Sequence, residues 1–160
     1  MSTPAEFAAQ VGRIADGDPW YGDPIATVTH GISAEDAARH PIEGAHSIWE
    51  LVRHLTAWAR EVRRRLVDGV WREPADGDWP PVPAATEANW KRDLGQLSAA
   101  HEELRLAIAG FPAARLPEQL GTERNRELGT GVTYGEMLHG ILQHDAYHLG
   151  QIALLKRAVQ

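Results

Sequence analysis

The stretch 141-ILQHDAYHLGQIALL-155 reads as one helix, because Met137, Ile141, His144, His148, Ile152 and Leu155 recur every three or four residues. Two histidines occupy positions in that stripe where leucines would ordinarily stand. At about 100° per residue, His144 and His148 point within about 40° of each other. Their Cβ atoms are neighbours on the helix surface, about 5–6 Å apart. Two imidazoles so placed can chelate a divalent ion through bonds of about 2.0–2.1 Å. The plainer alternative is a pair of hydrogen-bonded or half-exposed histidines, the commoner fate of an isolated His-x-x-x-His.

Upstream, the pattern resolves into three further helices. In 4-PAEFAAQVGRIADG-17, Phe7, Val11 and Ile14 fall at helical spacing, and Gly17 ends the run. A turn-rich piece, DPWYGDPIATVTHG, leads to a short helical turn, 33-SAEDAARHP-41, stopped by Pro41. Ser47 followed by Glu50 is a capping-box pattern. It opens a second long helix whose apolar repeat runs Leu51, Leu55, Trp58, Val62 and Leu66 before Gly69 closes it. Arg53, Arg60, Arg63 and Arg64 form its solvated face. A Pro- and Gly-rich crossover, 72-REPADGDWPPVPAA-85, precedes a third helix from Thr86 to Ala109, with Trp90, Leu94, Leu97, Leu104 and Ile108 inward. An irregular connection around Arg124, Asn125 and Arg126 then reaches 133-TYGE-136, a second capping box opening the last helix. No strand-like alternation persists and no repeat is visible. The expectation is an all-α fold, one four-helix bundle domain over residues 1–160 with long crossover connections.

A third histidine bears on the first two. His54, in 47-SIWELVRHLTAWAREV-62, lies in angular terms between Leu51 and Trp58 and faces the core or its border. Alone it would read as a satisfied core histidine. Burying three imidazoles without partners costs on the order of a kcal/mol each, whereas one cation satisfies them together. Three histidine ligands also leave a coordination position open, the pattern of a catalytic rather than a closed structural site. The other histidines are weaker candidates. His139 lies on another face, His101 sits beside polar neighbours, and His30, His40 and His46 fall in connections or at a helix start, His46 near enough to approach the site. Glu50 and Glu61 are angularly close to His54, but Glu50 has a capping role and Glu61 has arginines around it. Asp145 can orient an imidazole from behind it; for each carboxylate, solvent or a surface ion pair is the plainer fate. Gln151 either reaches the site by hydrogen bonding or caps the core edge.

Composition bounds the function classes. In 160 residues, 43% are hydrophobic and 24% charged, and the net charge is −6, with a pI near 5.7. An acidic surface repels phosphate backbones and anionic bilayers, so neither nucleic acid nor membrane is expected as a partner. Cysteine is absent, which removes disulfides, thiolate ligands and a cysteine nucleophile. MSTPAEFAAQVGRIADGDPW shows no basic region before a long apolar run, and no apolar stretch is long enough to cross a bilayer. A cytoplasmic protein is expected.

SIWELVRHLTAW together with LQHDAYHLGQIALLKR resembles the DinB/YfiT-like superfamily of bacterial metalloenzymes. The likeness extends over most of the chain, through the Trp-Pro crossover, ATEANW at the start of the third helix and the His-x-x-x-His-x-Gly-Gln of the fourth. The resemblance implies a four-helix bundle holding a divalent metal, typically zinc or nickel, on three histidines. By position these are His54, His144 and His148, with water at the open sites. Gly150 and Gln151 match the family's Gly-Gln. Members commonly form homodimers, for which Trp20, Trp71 or Trp79 are available, though core burial accounts for them equally. Some relatives are thiol-dependent S-transferases, and a related branch isomerises maleylpyruvate with a low-molecular-weight thiol. What the resemblance implies here is a metal-dependent S-transferase or hydrolase acting on a small-molecule substrate. The alternative is a metal-binding stress-response protein without catalysis.

Overall fold

The computed structural model describes residues 2–160 and is predominantly helical. Three helices start as their capping residues dictate. Thr3 and Glu6 box the start of α1 (Pro4–Ala15), Ser47 and Glu50 that of α4 (Ile48–Asp68), and Thr133 and Glu136 that of α6 (Tyr134–Val159). In each, the hydroxyl accepts the N3 amide while the N3 carboxylate accepts the cap amide, satisfying two otherwise orphaned donors. Gly69 ends α4 at φ 67°, the left-handed conformation that glycine adopts without strain. Between them lie the single turns α2 (Ile25–Thr29) and α3 (Ala34–Ala38), and α5 (Glu87–Ala109), capped by Thr86. The turn-rich piece before residue 33 thus contains a helical turn, begun after Pro24 and held by burial of Ile25 and Val28.

The four longer helices pack so that α1 and α4 each touch both α5 and α6. Phe7, Leu51, Leu55, Leu97, Leu104, Leu138 and Ile152 meet in the shared core. A polar clamp fixes α4 against α5 inside it. Trp49 Nε1 donates to Asp93 Oδ2 at 2.9 Å, and Arg53 Nη1 donates to the same oxygen at 2.8 Å. Trp90, tilted against Trp49 with ring centroids 5.1 Å apart, donates to the Ile32 carbonyl. Each buried indole N–H therefore has an acceptor.

Two expectations need correction. The connection before α6 is not irregular: Gln119–Asn125 (β1) pairs antiparallel with Thr130–Thr133 (β2), with a bulge between Leu120 and Asn125. Only Leu120 of β1 is buried, so its sequence carries no alternation. Gly131, at φ 70°, makes the pairing possible, because a Cβ there would lie 2.6 Å from Arg124 Cα. Glu61, expected at the surface, is buried at 2% exposure. Its carboxylate takes Arg65 Nε at 2.7 Å and both Nε and Nη2 of Arg64, so Arg64 is drawn inward, as Arg53 is by Asp93, while Arg60 and Arg63 stay on the solvated face.

Candidate metal centre

His54 leaves α4 one turn before Trp58, and His144 and His148 leave α6 on adjacent turns. One nitrogen from each ring lies within 4.8 Å of the other two. His54 Nε2 stands 2.9 Å from His144 Nε2. An ion held tetrahedrally by nitrogens at about 2.1 Å separates them by about 3.4 Å. Small side-chain rotations therefore bring all three rings into range.

The outer nitrogens decide which way the lone pairs point. His54 Nδ1 donates to the Asp78 carbonyl at 2.7 Å, and His148 Nδ1 donates to Gln151 Oε1 at 2.6 Å. In the neutral rings this leaves both Nε2 atoms as lone pairs. His144 Nδ1 faces Asp145 Oδ1 at 3.6 Å, and neither buried atom has a hydrogen-bond partner among the described residues. Placing the His144 proton on Nε2, to bridge to His54, would set two buried acceptors against each other on the far side. Placing it on Nδ1 turns the Asp145 contact into an attraction and aims a third lone pair at the other two. Three convergent imidazole lone pairs form a donor set that fits a divalent cation.

Behind the rings lies a second layer. Asp145 is fully buried, and His101 Nε2 of α5 donates to its Oδ2 at 3.2 Å. His101 Nδ1 meets the Leu97 carbonyl at 3.0 Å. Both nitrogens of this buried ring therefore face acceptors, which is the arrangement of an imidazolium. Burial disfavours the charge, yet the Asp145 carboxylate beside it holds the His101 pKa above its ordinary value. Burial likewise opposes the Asp145 charge, and His101 overrides it, pulling that pKa below the usual carboxylate range. Two of the converging imidazoles, His54 and His148, go the opposite way. Burial, with repulsion from His144 and His148, pushes His54 down to about 4 despite the Asp78 carbonyl. Burial, with His144, also lowers His148 against the pull of Gln151. Burial thus favours the neutral, coordination-ready form of His54 and His148 in front of the His101–Asp145 pair.

Trp79 closes one side of the site. It stacks on His54 with centroids 3.9 Å apart, and His46 stacks on its other face at 3.5 Å. Trp79 thus belongs to the site, and His46 approaches only through it. Trp71 packs against Gly121, while Trp20 is wholly exposed. Glu50 keeps its capping role and Gln151 reaches the site. Asp145 serves His144 and His101 rather than the surface. The residue that helical periodicity missed is His101, whose polar sequence neighbours concealed full burial; its one legible sign is that it falls between Leu97 and Leu104 on the inward arc of α5.

The three rings open into a cavity of about 460 Å³ between α4, α6 and the hairpin. Trp58, Val62, Val132, Met137 and Ile141 give it apolar walls, and Arg65, Arg124 and Arg126 also line it. Such a volume suits a small molecule. Among the described residues, no helix is long and apolar enough to cross a membrane. A family model described as the DinB superfamily matches residues 25–152, a span that holds all three histidines, His101 and Asp145. No curated protein and no solved structure matches the chain.

Proposed function

The chain belongs to the DinB superfamily, and on that premise we propose that it is a divalent-metal-dependent enzyme, built as a four-helix bundle, that transfers a thiol or water to a small electrophile. His54, His144 and His148 are its metal ligands, and zinc and nickel both suit three imidazoles. The observation that carries this reading is the convergence of three ring nitrogens within 4.8 Å at the wall of an open cavity.

A bound divalent ion supplies Lewis acidity, lowering the pKa of a thiol or water to yield a nucleophile at neutral pH. The chain's own residues do the rest. The Asp78 carbonyl, Asp145 and Gln151 fix the tautomers and aim the rings. Trp58, Val62 and Ile141 exclude water around the reacting groups. Because the chain has no cysteine, a thiol nucleophile must arrive as a separate small molecule. We propose in addition that it works in the cytoplasm as a homodimer, the latter on the family resemblance alone.

The test is a panel of low-molecular-weight thiols and electrophiles assayed with protein loaded with zinc or nickel and with protein stripped by chelator. Metal-loaded protein should accelerate addition or hydrolysis for at least one pair, and His148→Ala should remove both bound metal and rate. Equal rates for loaded and stripped protein across the panel would overturn the enzymatic reading. A large metal-dependent rise in melting temperature without turnover would point instead to a metal-binding protein without catalysis.

A further inference from the structure

We propose that the cavity beside the three histidines selects molecules carrying a carboxylate, anchored by the guanidinium of Arg65 and steered by Arg124 and Arg126; this rests on the metal-dependent reading above. Arg65 is an unusual residue to find in a cavity wall, since it is 1% exposed and comes from the interior of α4. Its Nε is committed to Glu61, and its Nη2 donates to the Arg72 carbonyl at 3.2 Å. Among the described residues, no hydrogen bond holds Nη1. That atom lies on the cavity side, 3.9 Å from where a Cβ on Gly129 of the hairpin would sit.

Charge counting points the same way. The single carboxylate of Glu61 is shared by two guanidiniums, Arg64 and Arg65, so the buried cluster carries a surplus positive charge. Arg124 and Arg126 add two more from the hairpin. Three carboxylates share the cavity. Glu136 is occupied by the Thr133 amide and hydroxyl, and Asp78 accepts from Trp58 Nε1 at 2.7 Å. Glu127 alone is free, exposed on the hairpin turn. A guanidinium with a free N–H edge, held rigid by a buried partner and facing a mostly apolar cavity, recognises a carboxylate strongly.

Position sets the shape of the ligand. Arg65 lies against one part of Trp58, its Cζ 5.4 Å from the ring centroid, and His144 lies 6.1 Å from the same centroid. His54, Trp58 and Arg65 follow one another along the same side of α4, so the indole lies between the anion anchor and the imidazole cluster along the helix. A molecule with its reacting group at the histidines and a carboxylate at the far end of a short chain spans the two. The apolar walls cover what lies between.

The experiment measures binding by calorimetry to the full chain, both zinc-loaded and chelator-treated. One arm compares 6-mercaptohexanoate with 6-mercaptohexanol, the other adipate with adipamide. The expected result is that at least one acid binds about ten- to hundredfold more tightly than its uncharged counterpart. A preference confined to the first pair puts the carboxylate on the thiol, and one confined to the second puts it on the other substrate. Arg126→Gln, on an exposed position, should weaken acid binding severalfold. Glu61→Gln with Arg65→Met, which removes the buried pair together, should erase the preference while zinc content stays unchanged. Equal binding of acids and neutral counterparts overturns the proposal, as does an undiminished preference in both variants. If the protein takes up neither zinc nor nickel, the metal-dependent reading fails by itself, and the adipate arm on metal-free protein still decides the anion site.

Discussion

His144 is held by what stands behind it. Asp145 follows it in sequence, and the Asp145 carboxylate is claimed on its other side by His101 of α5. The carboxylate therefore does two jobs: it neutralises a buried imidazolium and it fixes the tautomer of a converging imidazole. Asp145→Asn keeps the shape and removes the charge, leaving His101 either cationic without a counterion or forced to shed its proton. We expect a loss of about 3 kcal/mol in urea unfolding of the metal-free protein, with zinc affinity down by about 10–100-fold. Asp145→Asn combined with His101→Asn should cost less than the two single changes added together, because the residues act as one unit. Additive losses would mean that no such coupling exists. In the unaltered protein, nitrogen-resolved NMR at neutral pH should show both His101 ring nitrogens protonated, as their two acceptors require.

At the scale of elements, helices and hairpin follow different rules, and this governs what the sequence discloses. The capping pairs Ser47–Glu50 and Thr133–Glu136 mark helix starts that the structure reproduces, because capping is chemistry between residues three apart. The hairpin depends on contacts that no local pattern announces: β1 buries only Leu120, and β2 can approach it because position 131 lacks a Cβ. Gly131→Ala should therefore open the hairpin at a cost of at least ~1–2 kcal/mol, from the positive φ alone, with more from the clash at Arg124. Since Arg124, Arg126 and Val132 line the cavity, this variant should lose small-molecule binding. It should also keep its helical circular dichroism and its zinc. Loss of helix content would show instead that the hairpin supports the packing of α4 and α6. The buried Glu61–Arg65 pair is a similar case. Their i, i+4 spacing is plain in the sequence, but burial is set by the chain segment at Arg72 folding over them.

For the whole molecule, the three converging histidines were readable in advance because helical periodicity assigns each to an inward arc, and the family through the resemblance of the motifs around them. His101 was not, because its meaning depends on a partner 44 residues away on another helix. Titration makes the arrangement measurable in the intact protein. In the metal-free fold, His54 holds a pKa of about 4 against an ordinary 6.5, and His148 is lowered too. Between those values the unfolded chain binds protons that the folded chain refuses, so stability is complete above about pH 6.5 and falls as the pH drops toward 4. His101 has the opposite sign: its raised pKa gives stability that is full below its ordinary value and is lost as pH climbs through the raised one. Zinc binding requires the three lone pairs, so protons compete with the ion over the acidic window. Melting temperatures recorded with zinc and with chelator should differ most above about pH 6.5 and converge only as the pH falls through about 4, where His54 takes up its proton. A zinc-dependent shift of equal size at both ends of that range would mean that the ion sits on other residues, since only ligands that exchange protons for metal impose this slope.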